Sequence, residues 1–209
     1  MIFNTIGPAY RVHTQRLVIR CWQPADAPLL KASIDENLEH LRLQMPWAMN
    51  EPTDLQTKIE SIRRFRGKFD LGQDFTYGIF NLDETQVLGG TGLHPRIGKA
   101  ALEIGYWIHH IYTNKGLATE TAAALTQVAF KINKVNRVEI HCDPENIASA
   151  RVAEKIGFFH EATLSRRLLR EDRAPRDTMI WTMFADQYPS CNVATTKIEA
   201  YNVTGQRIL

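Results

Sequence analysis

The chain has 209 residues, 44% hydrophobic and 23% charged, with a formal net charge of +2. This size and balance fit one globular domain with a substantial core, and the near-neutral charge argues against general nucleic-acid binding, which needs a strongly basic face. Cys21, Cys142 and Cys191 are widely spaced and cannot all pair; with no leader pattern and no apolar run of membrane-spanning length, a cytoplasmic, reducing setting without a metal site or membrane partner is expected.

In chain order, residues 17–21 read as a strand, and Pro24-Ala-Asp26 opens a helix over residues 27–37. Thr53-Asp54 caps a second helix running to residue 69, with Leu55, Ile59, Ile62 and Phe65 at helical spacing. Residues 75–82 and 86–93 form paired strands around a turn at 81–85. Gly89-Gly-Thr-Gly92 superficially suggests a dinucleotide fingerprint, but Leu93-His94-Pro95 follows and no helix opens there. Those glycines instead fit a bulge or a close backbone approach. Residues 102–108 are the next strand. Thr113-Asn-Lys-Gly-Leu-Ala118 then forms a loop at a helix start, where unpartnered N–H groups and the helix dipole favour an anion. Ala118, Ala122, Leu125, Ala129 and Ile132 continue as a long helix. A strand at 137–142, a Pro turn and a short helix stopped by Gly157 follow. Residues 163–170 and 178–184 close the sheet as an antiparallel pair joined through 171–176. Beyond Tyr188-Pro189, residues 197–209 read as a small extra hairpin, dividing the chain into a domain at 1–188 and an extension at 189–209.

Gly116, Ala118, Asn146, Ser149, Lys155, Gly157 and Phe158 match the acyl-CoA-binding pattern of the GNAT superfamily of N-acetyltransferases, which the chain resembles over roughly residues 13–188. Gln15-Arg16-Leu-Val-Ile-Arg20, Leu41 to Trp47, Leu88-Gly-Gly-Thr-Gly92 and Asp177-Thr-Met-Ile-Trp-Thr-Met183 resemble its RimJ/RimL-like branch, which includes enzymes that acetylate ribosomal-protein N-termini. The resemblance implies an α/β (α+β) fold: a central mixed, mostly antiparallel sheet, splayed in the middle and flanked by helices. It also implies acetyl-CoA as co-substrate, a primary amine as acceptor, and a homodimer as a family-level expectation. Thr113 stands where the family has Arg or Gln, and Asn114 where a second Gly is common. The pyrophosphate is therefore expected on the backbone cradle of Tyr112, Thr113, Asn114, Lys115, Gly116, Leu117, Ala118 and Thr119.

The rest of the expected site follows from the same resemblance. The backbone of Trp107 and Ile108 would pair with the pantetheine arm and polarise the thioester. Asn146 would hold the pantetheine amides, with Ser149, Arg151 and Lys155 on the same helix. Many members protonate the thiolate with a tyrosine on that helix. Its position here is Ala153, which leaves Ser149 as the hydrogen-bond donor. Glu103 is the expected general base, on one strand face with Gly105 and Trp107; His94 and His141 are lesser candidates. Asn146 as a plain N-cap and Glu103 as a salt-bridged strand residue are the alternatives. Trp47 would wall the acceptor pocket, with plain packing as the alternative. Arg166, Arg167, Arg170, Arg173 and Arg176 could attract an acidic surface or form a mixed solvated face. A protein N-terminus is the leading acceptor. A small amine, such as an antibiotic or a polyamine, and a module that holds acyl-CoA without turnover are the rivals.

Overall fold

The computed structural model describes residues 7–169 and 174–209. Nine strands form one open sheet in the order β7-β8-β6-β5-β4-β3-β2-β1-β9. In chain order they are β1 (Arg11–His13), β2 (Val18–Cys21), β3 (Phe75–Phe80), β4 (Val87–His94), β5 (Ala101–Ile108), β6 (Arg137–Cys142), β7 (Phe159–Leu169), β8 (Pro175–Phe184) and β9 (Glu199–Tyr201). The helices are α1 (Ala27–Asp35), α2 (Leu38–Arg42), α3 (Leu55–Asp70), α4 (Leu117–Lys131) and α5 (Ile147–Lys155). Among the described residues no helix is long and apolar enough to cross a membrane.

β5 and β6 are the one parallel pair, and every other neighbouring pair is antiparallel. Their register runs only from Ala101 opposite Arg137 to Glu103 opposite Glu139. Beyond Glu103 each strand keeps its other neighbour: β5 stays on β4 to Ile108, and β6 stays on β8 to Cys142. The sheet therefore opens between β5 and β6, as the expected splay requires.

Alternation along β5 separates two cores. Leu102, Ile104 and Ile108 face α4 and α5 in the larger core, with Tyr106 packed against it. Trp107, on the opposite face, packs against the core formed with α1 and α3. Asp54 caps α3 by accepting from Thr57 N–H at 2.7 Å. α4 is buried almost all round, because residues after Tyr188 cover the side turned away from the sheet. Gln127 donates to Thr196 O at 2.6 Å, and the Phe130 and Tyr188 rings lie 4.9 Å apart. Leu125 is wholly buried at the centre of that layer. Leu125→Ala is expected to cost about 2–5 kcal/mol, read from urea unfolding midpoints; a loss under half the lower bound would mean the layer collapses around the gap.

Two short elements escape the sequence reading. β1 precedes the strand read as first, and its three residues carry too little pattern to stand out. α2 spans only five residues. At the other end, the proposed hairpin is only partly an independent unit. β9 joins β1 at the edge of the main sheet, and the chain turns at Gly205 (φ 78°) to make a single bridge between Tyr201 and Arg207. Of the arginine cluster, Arg170 and Arg173 lie outside the described residues. Arg166 N–H donates to Asp177, and Arg176 lies 3.7 Å from Asp143.

Candidate active site

The loop between β5 and α4 has the backbone of an anion cradle. Asn114 and Gly116 both adopt left-handed conformations, φ 60° and 78°. Asn114 thus does the work of the family's second glycine, since Asn is among the few non-glycine residues that tolerate this region. No acceptor among the described residues takes the N–H groups of Asn114, Lys115, Gly116, Leu117, Ala118 or Thr119. Three of these donors precede α4 and three form its first turn, at the positive end of the helix dipole, a setting that favours phosphate. The Thr113 hydroxyl turns inward and donates to His110 O at 2.8 Å, so it offers no direct replacement for the family's Arg. The nearby cation comes from elsewhere. Arg16, on the turn between β1 and β2, donates to Lys115 O at 2.9 Å and to Glu120 at 2.6 Å. Sequence reading took Arg16 only as part of a strand motif, because the loop and the turn meet only in the folded sheet. Tyr112 carries the Lys115 ammonium over its ring at 5.3 Å.

The opening beside β5 is lined by alternate residues. His109 N–H donates to Leu88 O on the β4 side, whereas Ala100 O accepts from Asn136 on the β6 side. By that alternation the main-chain groups of Ile104, Tyr106 and Ile108 face the splay, and those of Trp107 belong to the β4 ladder. The main-chain groups of Ile108 thus face the opening. Those expected there from Trp107 are turned to β4 instead, and the outward groups next to Ile108 are those of Tyr106.

Across the opening, Asn146 caps α5, its side chain accepting from Ser149 N–H at 3.1 Å. The Ser149 hydroxyl lies 2.9 Å from the Tyr106 phenol oxygen. Tyr106 is the residue that sequence reading missed. Ala153, where many members of the family carry a tyrosine, is buried in the core, and the phenol beside Ser149 comes from β5. Strand alternation places Tyr106 opposite Glu103, and that was the available signal. Burial raises the Tyr106 pKa well above its ordinary value despite the hydrogen bond shared with Ser149, so the phenol stays protonated. Cys142 is buried beside this pair, and burial pushes its thiol up as well. Arg151 and Lys155 lie exposed on α5.

Glu103 occupies the closed end of the splay on the other strand face, so it is not brought together with Ser149. Burial opposes its charge. Arg96 outweighs that by donating Nε to Oε2 at 2.8 Å and Nη2 to Oε1, with His141 3.7 Å away, and the carboxyl is held below its usual range. His141 is itself 2.6 Å from Glu139. A carboxylate with both oxygens engaged and its pKa lowered is a weakened base, so the geometry favours the salt-bridged alternative over the expected general base. A lowered folded-state pKa adds stability above the unfolded value of about 4.3, and that stability is lost as pH falls through the folded value. Glu103→Gln should therefore be less stable by roughly 1–2 kcal/mol at neutral pH, with Arg96 partly solvated. The gap should narrow toward about pH 3. Urea titrations at both pH values check this, and a gap independent of pH would show that charge is not its source.

On the Glu103 face the floor is made of glycines. A Cβ at Gly90 would strike the Trp107 ring, and one at Gly92 would strike the His94 ring. Close approach, one of the two reasons expected for the Gly89–Gly92 run, is thus present. Trp47, 39% exposed, tilts toward Trp107 with ring centroids 6.2 Å apart.

A splayed sheet with a phosphate-ready loop at a helix start defines a recognisable class. The family model described as the acetyltransferase (GNAT) domain matches residues 16–159, and the chain belongs to that family. It is 26% identical over 170 residues to the [Ribosomal protein uS5]-alanine N-acetyltransferase of Escherichia coli (strain K12), covering 78% of this chain and 84% of the relative. It is 38% identical over 79 residues to the Uncharacterized N-acetyltransferase YnaD of Bacillus subtilis (strain 168). That match spans 38% of this chain and only 46% of the relative, about half its length. The fold matches the structure of RimL, the ribosomal L7/L12 alpha-N-protein acetyltransferase in complex with coenzyme A, with TM-score 0.75 and 19% identity, over 83% of this chain and 96% of that one. These similarities place the chain in the RimJ/RimL-like branch.

Proposed function

We propose that the protein transfers an acetyl group from acetyl-CoA to a primary amine, and that the acceptor is a protein N-terminal α-amine. The observation that carries the reading is the row of six unpartnered N–H groups from Asn114 to Thr119 at the mouth of the β5–β6 splay. Acetyl-CoA supplies the activated acyl group. The loop donors would hold its diphosphate, with Arg16 adding charge, and the outward groups of Tyr106 and Ile108 would pair with the pantetheine arm. Asn146 both caps α5 and borders the arm. Ser149, hydrogen-bonded to Tyr106, stands ready to donate to the departing sulfur. Trp47 and Trp107 form an aromatic wall where the acceptor would enter.

Two of the names above, [Ribosomal protein uS5]-alanine N-acetyltransferase and ribosomal L7/L12 alpha-N-protein acetyltransferase, support the α-amine. So does chemistry: an α-amine has a pKa near 7.7–8.0 against about 10.4 for lysine, so less help is needed to expose its lone pair. The test measures CoA release with N-terminal peptides, polyamines and aminoglycosides, alongside calorimetric binding of acetyl-CoA. Release fastest with peptides supports the reading, and release only with small amines moves the acceptor to that class. Tight acetyl-CoA binding with no release for any amine would make the chain a binding module.

A further inference from the structure

We infer that His94, oriented by Asp74, is the group that takes the proton from the incoming amine; this rests on the acetyl-transfer reading above. His94 ends β4, directly across from Glu103 on β5. Its Nδ1 lies 2.6 Å from Asp74 Oδ1, on the turn after α3. An ionised carboxylate only accepts, so Nδ1 carries the hydrogen, and whenever the ring is neutral Nε2 is its acceptor. Burial opposes the charge on Asp74, but the His94 contact, with Lys68 and Arg96 adding, holds its carboxyl below the usual range. Asp74 is therefore ionised at neutral pH and fixes that tautomer.

The glycines decide where Nε2 points. The imidazole lies over Gly92 and Gly105, which face each other across β4 and β5. A Cβ built on Gly105 would sit 3.5 Å from Nε2. Gly105 lies between Glu103, where β5 leaves β6, and Trp107, which faces Trp47. Nε2 thus stands over the strand where the splay begins, on the acceptor side, and no described residue bonds it. Glu103 on the same face is committed to Arg96. Behind the ring, a cavity of about 340 Å³ lined by Lys68, Gln73, Asp74, Pro95 and Arg96 gives a released proton a path to solvent. The charged groups around the imidazole are Asp74, Lys68 on α3, Arg96 after β4 and Glu103 on β5, with His141 on β6 beyond Glu103.

The balance is simple. The ammonium gives one proton to Nε2, which later releases it to water. The freed nitrogen lone pair forms the N–C bond to the thioester carbonyl carbon. The C–S bond breaks, and its electron pair leaves on sulfur. The second nitrogen proton ends on that sulfur, giving amide, CoA thiol and one proton released.

The experiment compares wild type, His94→Gln, His94→Ala and Asp74→Asn by steady-state kinetics across pH, with acetyl-CoA binding and thermal unfolding measured in parallel. His94→Gln should lower kcat by about 100-fold, the low end for general-base loss, with acetyl-CoA affinity unchanged. Free imidazoles should partly restore His94→Ala, with rescue rising as the added base strengthens. Asp74→Asn, a change at a positioning residue, should lower kcat while leaving the KM for acetyl-CoA unchanged, because the imidazole loses the partner that fixes its tautomer. If His94→Gln turns over within twofold of wild type with the same pH profile, the assignment is overturned while acetyl transfer stands. If wild type binds acetyl-CoA but acetylates no amine, the underlying reading fails first and the assignment falls with it.

Discussion

Gly116→Val should weaken acetyl-CoA binding by about tenfold or more, the largest single effect expected on affinity. Space is not the reason. A Cβ at Gly116 would meet only Arg16 Nη2, at an ordinary 3.5 Å. The backbone is the reason: φ is 78°, a left-handed conformation that costs a side-chain-bearing residue about 1–2 kcal/mol and a β-branched one more. α4 is locked into the core behind this residue, so the strain is relieved by turning the loop, and the N–H groups from Asn114 to Gly116 then lose their common aim. About 1.4 kcal/mol corresponds to a tenfold change in affinity. Gly116→Asn is the control, because Asn already occupies the same region at position 114. It should retain most of the affinity. Calorimetry on both variants decides the matter: equal losses would indicate that bulk rather than φ is responsible, and no loss in Val would move the phosphate away from this loop.

Removing the hydroxyl pair beside the opening should act on turnover instead. Ser149→Ala and Tyr106→Phe are each expected to lower kcat by roughly tenfold to a hundredfold, the span of one hydrogen bond to a charged group. The KM for acetyl-CoA should change little, since a donor to the leaving sulfur acts mainly as negative charge develops there. The two oxygens lie 2.9 Å apart and share one hydrogen bond. The double variant should therefore lose much less than the product of the single losses. Fully multiplicative losses would separate the two residues into independent roles. An unchanged kcat in Ser149→Ala would remove the leaving-group assignment altogether.

Much of the fold was legible because its long elements carry strong periodicity and firm punctuation. α4 announced itself through small and apolar residues at helical spacing, and α3 through Asp54 at its start. β5, β6 and α5 were readable because a strand, a Pro turn and Gly157 mark their limits. The loop before α4 was readable for the same reason: main-chain donors that could take an anion need only a helix start and a backbone free to turn, and both are local properties of Thr113 to Ala118. Asn114, at first sight a departure from the pattern, became intelligible once its φ was known.

The side-chain chemistry was less legible. Glu103 stands in the position expected for a base, yet nothing in its neighbourhood in the chain shows that Arg96 will clasp both oxygens. Ala153 correctly indicated that α5 carries no phenol, but not that Tyr106 would reach Ser149 from a strand 43 positions away in sequence. Asp74 and His94 are likewise joined only by the β3–β4 register, one step beyond the pairing of Phe75 with Leu93. Arg16 reaches the loop because β2 and α4 lie in adjacent layers.

The sequence alone determined the order of the main elements and the turn that opens α4, through spacing, capping and backbone freedom within short stretches, and it indicated the class of protein through motif residues that resemble a known family. Only the tertiary structure decided which acids and bases meet. A side chain's proton affinity depends on its desolvation and on partners brought from distant segments, and neither quantity exists until the sheet has closed around β5.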